Sequence, residues 1–128
     1  MKLKEFSDSG KRALKGLPTI SINQKGIITF NVIARDRLGL SPGDRITIFQ
    51  DEDRRQDWYF KINAERGGVL LREVSGTRAM VCNFAEAAYE LLRAMELNTT
   101  SRFQVATEPI DGLYAIITKS IINKKLNH

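Results

Sequence analysis

The chain has 128 residues, 42 % hydrophobic and 27 % charged, a balance that fits one soluble globular domain large enough for a real core. No apolar run approaches the roughly 18–20 residues of a membrane span, and the N-terminal MKLKEFSDSGKRALKGLP lacks the apolar segment of a secretory signal. The net charge of +5 sits at the ends: Lys2, Lys4, Lys11, Arg12 and Lys15 outnumber Glu5 and Asp8, Lys119, Lys124 and Lys125 stand unopposed, and the middle is close to neutral. Residues 1–18 therefore read as a basic, flexible segment and 120–128 as a basic tail, either able to track phosphates or simply to aid solubility.

TISIN (19–23) and GIITF (26–30) read as two short strands joined by Gln24-Lys25. Asn31 suits a helix N-cap, VIARDRLGL follows as a short helix, and Gly39 ends it. Pro42-Gly43-Asp44 forms a turn, from which DRITIFQ (44–50) leaves as a strand with Ile46 and Ile48 on one face. DEDRRQ (51–56) is a solvated charged loop leading to the strand DWYFKIN (57–63), whose alternation puts Trp58, Phe60 and Ile62 in the core and Tyr59 and Lys61 outside.

The same order recurs. GVLLREV (68–74) and RAMVCN (78–83) read as strands around an SGT turn. Asn83 with Glu86 makes a capping-box pattern, and Phe84, Ala88, Leu91, Leu92 and Met95 form one apolar helix face. SRFQVAT (101–107), the turn EPIDG and the strand LYAIIT (113–118) complete the pattern. The expected architecture is mostly β with two short helices: a single barrel domain over 19–119 built from two β-β-α-β-β repeats, 19–63 and 68–119. Each repeat alone would bury too little apolar surface, and closing the sheet removes exposed edges.

Catalysis has little to stand on. The only histidine is the terminal His128, and there is no Cys/His metal set, phosphate-cradling glycine loop or nucleophile motif. No metal or cofactor is expected. The lone Cys82, beside Met80 and Val81, reads as a small core residue in a reducing, cytoplasmic setting. Nucleic-acid binding has more support: Arg35, Arg37 and Arg45 cluster around the first helix and corner, and Lys25 lies in the preceding hairpin. Asp36 and Asp44 dilute this field, so ordinary surface charge is the competing account.

The run GIITFNVIARDRLGLSPGDRITI resembles the SpoVT/AbrB (MazE-like) swapped-hairpin domain, whose usual pattern is near G-R-I-T-I-P-K-E-I-R-E-K-L-G-L-K-P-G-D-x-V-x-I. Gly26, Ile28, Thr29, Arg35, Leu38, Gly39, Leu40, Pro42, Gly43, Asp44, Ile46 and Ile48 fall on matching positions without a gap. Ile27 replaces the arginine after the glycine, Asn31 replaces the helix-opening proline, and Asp36 interrupts the helix's basic pair. The resemblance implies a swapped-hairpin-type barrel, here with both copies in one chain, the second having lost the L-G-L-x-P-G-D corner. It also implies DNA binding of a regulatory kind, with Arg35 the DNA-contact position carried over most cleanly. The expected interface is Lys25, Arg35, Arg37 and Arg45, with Lys11 and Arg12 of the basic segment adding phosphate contacts. Double-stranded DNA is the expected partner of a monomer or homodimer, with no membrane role. A protein-interaction module, antitoxin-like or from a mobile element, and a single-stranded nucleic-acid binder are the alternatives.

Overall fold

Asn31 organises the first turn of the fold. Its side-chain oxygen accepts hydrogen bonds from the Ala34 amide at 2.8 Å and the Thr19 amide at 3.1 Å, while its Nδ2 donates to the Leu17 carbonyl at 2.8 Å. One residue thus caps helix α1 (Val32–Leu38) and ties it to the start of strand β1 (Thr19–Ile22). Gly39 at φ 71° ends the helix, its amide donating to the Arg35 carbonyl.

In a computed structural model of the protein, residues 16–63 and 67–122 are described; Lys11, Arg12 and most of both basic ends lie outside them. The two ends are shorter than the charge pattern suggests. Leu17 bonds to Asn31, and the Pro18 carbonyl accepts from the Val105 amide at 3.0 Å. The last strand runs on to Ile122 rather than stopping at 118.

The remaining elements are β2 (Ile27–Phe30), β3 (Arg45–Gln50), β4 (Trp58–Asn63), β5 (Val69–Leu70), β6 (Arg72–Glu73), β7 (Met80–Asn83), α2 (Ala85–Ala94), β8 (Ser101–Val105) and β9 (Tyr114–Ile122). All nine strands form one antiparallel sheet in the order β5-β3-β4-β9-β8-β1-β2-β7-β6, which curls into a nearly closed barrel. Hairpins from the two halves alternate around it. β3–β4 lies against β9–β8, which lies against β1–β2, which lies against β7–β6. The pattern repeats when the halves are exchanged, with residues 69–73 standing for β1. On one wall Ile27↔Asn83 and Phe30↔Met80 trade places, and on the opposite wall Trp58↔Ile116 and Phe60↔Tyr114 do so.

The stretch read as one strand over 68–74 is two two-residue strands with different partners. β5 pairs with β3 and β6 with β7, so the segment crosses from one sheet edge to the other. Leu71 sits at the crossing, 1 % exposed; its amide donates to the Asp44 carbonyl at 2.8 Å and its carbonyl accepts from Gly43 at 3.2 Å. The Pro-Gly-Asp corner is therefore the dock for the segment that closes the barrel. Asp44 holds that corner through its carboxylate, which accepts from the Ser41 amide at 2.9 Å.

A second departure lies at α2. Asn83 does not cap it: Asn83 is the last residue of β7, paired with Ile27, and Phe84 takes the N-cap position without a side-chain hydrogen bond. The ladder continues one residue past Asn83, the Phe84 amide donating to the Gly26 carbonyl at 2.9 Å, so the helix starts later, and the Asn83 side-chain oxygen accepts from Arg72 at 3.4 Å instead. The apolar face of the helix lies as its spacing predicts, with Ala88, Leu91 and Leu92 buried and Phe84 and Met95 packed at its margin.

The interior is filled by side chains from both halves, among them Ile20, Ile22, Ile28, Phe30, Phe60, Met80, Leu91 and Phe103. Phe60 stands at its centre, edge-on to Phe30 at 5.4 Å and stacked on Tyr114 at 5.2 Å. Trp58 and Phe60 point inward and Lys61 outward, in line with their alternation. Cys82 is fully buried, and burial pushes its thiol up to about 12.

Candidate nucleic-acid interface

The residues expected to contact DNA occupy two ends of the barrel. β2 is only four residues long, with the β1–β2 turn before it and α1 after it. Lys25 lies in that turn, and Arg35, Arg37 and Arg45 gather at the other end around α1 and the corner.

At the α1 end the charges are unequal. Arg35 has a side chain only 15 % exposed; its guanidinium pairs with Glu73 and donates to the Arg78 carbonyl at 3.0 Å. Asp36 pairs with Arg78 at 2.6 Å, and this contact holds the Asp36 carboxyl below its ordinary range. These bonds fasten the first half's helix to the β6–β7 hairpin of the second half. Arg35 thus has a structural task that its place in the pattern does not disclose. Arg37 is exposed, Arg45 is half-buried beside Leu70 and Asn63, and neither has an ion pair or side-chain hydrogen bond among the described residues.

At the other end, Lys25 is held outward by a tight turn. The Asn23 side chain accepts from the Lys25 and Ile27 amides, each at 2.9 Å, and Gln24 donates to the Asn98 carbonyl beyond α2. Gly26, at φ 88°, presses on the first turn of α2: an added Cβ would meet Ala85 Cα and Cβ at 2.7 Å. Lys25 therefore sits beside α2, as Arg78 sits beside α1, each hairpin turn resting on the other half's helix.

Sequence reading did not bring together a third set. A groove of about 580 Å³ lies where the β3–β4 loop meets β4 and β9 and is lined by Arg54, Arg55, Asp57, Tyr59, Ile117 and Lys119 among others. The RR pair and the aromatic run were visible in the sequence. Their meeting with the final strand depends on the long-range β4–β9 pairing, which no local pattern announces. Among the described residues no group of three or more His, Cys, Asp or Glu is placed to hold a metal ion, and no helix is long and apolar enough to cross a membrane. No protein-family model, curated protein or solved structure matches the chain.

Proposed function

We propose that the chain is a non-enzymatic DNA-binding protein of the cytoplasm, a transcriptional regulator of the SpoVT/AbrB type acting on double-stranded DNA. The observation that carries the reading is the alternation of hairpins from two halves around one barrel, with the L-G-L-S-P-G-D corner at its closing seam. That is the scaffold the resemblance implies, and it leaves Lys25, Arg37 and Arg45 without anionic partners among the described residues. These cations would position the phosphate backbone. Arg35 contributes by setting the pose of α1 through Glu73 and Arg78.

The test is a titration of a mixed-sequence duplex across a salt series. Each lost phosphate contact should flatten the log K against log salt slope by about 0.9, so Arg37→Ala, Arg45→Ala and Lys25→Ala should each reduce it. Absence of binding by the full chain at low salt refutes the reading. Binding that survives these substitutions but not deletion of 1–15 and 123–128 would move the activity to the termini. A protein-interaction module is the second reading, favoured by Ile110, 78 % exposed in the loop between β8 and β9.

A further inference from the structure

The groove over β4 and β9 lies on the wall opposite the β2–β7 pair, away from α1 and α2, which pack on β1 and β2. Trp58 and Tyr59 of β4 and residues 115–119 of β9 line it. Tyr59 is opposite Ala115 in the ladder, and Ile117 follows two residues on. Its rim is the loop between β3 and β4, which in sequence reads as a solvated mixed-charge tip.

The loop is exposed but not loose. The Asp51 carboxylate accepts from the amides of Asp53 at 2.8 Å and Arg54 at 3.2 Å. Gln50 Nε2 and Trp58 Nε1 both donate to the Arg55 carbonyl, at 2.7 and 3.0 Å. The Thr118 hydroxyl donates to the Gln56 carbonyl at 2.6 Å, tying the loop across to β9. These bonds sort the charges. Arg54, Arg55, Asp57 and Lys119 line the groove, while Glu52 and Asp53 do not. None of the three cations has an ion pair or side-chain hydrogen bond among the described residues.

Concentrated, unpaired guanidinium groups beside an aromatic ring suit a ligand that carries both an anion and a flat ring. Arginine presents a planar fork to phosphate oxygens, and a tyrosine face stacks any base without regard to its sequence. Asp57 adds an acceptor for a sugar hydroxyl or a base amino group. We infer that the groove is a nucleotide site, holding phosphate on Arg54, Arg55 and Lys119 and stacking the base on Tyr59. The nucleotide is either free or one unit of a single strand. This site goes beyond duplex binding at α1 and shares no residue with it.

Trp58, the chain's only tryptophan, is buried beneath the groove with its Nε1 donating to the carbonyl of Arg55 on the rim, so its fluorescence responds to a ligand that shifts this loop. The full chain is titrated with a short oligothymidylate and, separately, with adenosine and thymidine monophosphates, followed by Trp58 emission and, for the oligonucleotide, by anisotropy. Saturable binding is expected, weakened about ten- to a hundredfold by Tyr59→Ala and kept by Tyr59→Phe, which retains the ring. Arg54→Ala and Arg55→Ala should weaken it and flatten its salt dependence, while Arg93→Ala on α2 should not. Binding of the oligonucleotide alone identifies single strands as the source, and comparable binding of monophosphates identifies free nucleotides. No response to either probe at low salt overturns the proposal. So does wild-type affinity in well-folded Tyr59→Ala and Arg55→Ala variants.

Discussion

The interlocking of the two halves can be tested at Gly26. Its backbone stands at φ 88°, and a Cβ built there would lie 2.7 Å from both Cα and Cβ of Ala85. For Gly26→Ala the strained backbone costs about 1–3 kcal/mol, and forcing a methyl onto a helix backbone costs about 1–3 kcal/mol more. Together these should lower stability by roughly 2–6 kcal/mol and Tm by about 10 °C or more. Urea unfolding followed by Trp58 fluorescence measures the loss. The partner variant Ala85→Gly removes one of the two clashing carbons and alone costs about 0.5–1 kcal/mol as a helix substitution. Because it relieves part of the clash, the double variant should be more stable than additivity predicts by about 1 kcal/mol. Gly26 belongs to the first half's hairpin and Ala85 to the second half's helix, so the cycle reads their contact alone. A Gly26→Ala variant within about 0.5 kcal/mol of wild type, or a strictly additive cycle, would refute the packing of hairpin on opposite helix.

Three further outcomes are expected. Arg35→Ala should cost about 1–2 kcal/mol of stability, because its largely buried guanidinium joins Glu73 and the Arg78 carbonyl; exposed Arg37→Ala should cost under about 0.5 kcal/mol, both read by urea unfolding. Leu71→Ala, at the crossing between the sheet edges, should cost about 2–5 kcal/mol in the same assay. The buried Cys82 thiol is held neutral up to about 12 against an ordinary 9.0. The unfolded chain therefore loses this proton first, and stability should fall by about 1.4 kcal/mol per pH unit between those values. Cys82→Ala should remove that slope, which comparison of the two unfolding midpoints against pH will show.

Much of the fold was legible because its signals are local. Asn31 is followed by a helix-length apolar pattern, Gly39 and Pro42 break the chain where the helix ends, and alternation over 57–63 assigns each face of β4. Reading failed where two local preferences competed or where a partner was distant. Asn83 is a good cap and also a strand residue, and the Gly26 carbonyl decides between them. The 68–74 run has the composition of one strand, yet its two ends meet different edges of a closing sheet. Arg35 matches a binding pattern, but whether it faces solvent depends on Glu73, which only the β6–β7 hairpin brings near. The groove depends on loop and strand residues whose neighbourhood is created by the β4–β9 ladder.

Those long-range pairings also confine where function can reside. Phe60, between Phe30 and Tyr114, fills the centre of the barrel, so a ligand has to bind on an outer wall. Exchange symmetry makes the β2–β7 and β4–β9 walls the two places where both halves meet as equals. On the first, each hairpin turn rests on the other half's helix, and the charges there divide between fastening the halves (Arg35, Asp36, Glu73, Arg78) and facing solvent (Lys25, Arg37). On the second, the β3–β4 loop supplies the covering and its arginines stay unpaired. Charge spent on assembly is concentrated on one wall and charge free for a ligand dominates the other. Substitution of the fastening residues Arg35 and Arg78 on the first wall should therefore couple binding to stability, whereas changes at Arg54, Arg55 and Tyr59 should alter binding while leaving the unfolding midpoint close to wild type.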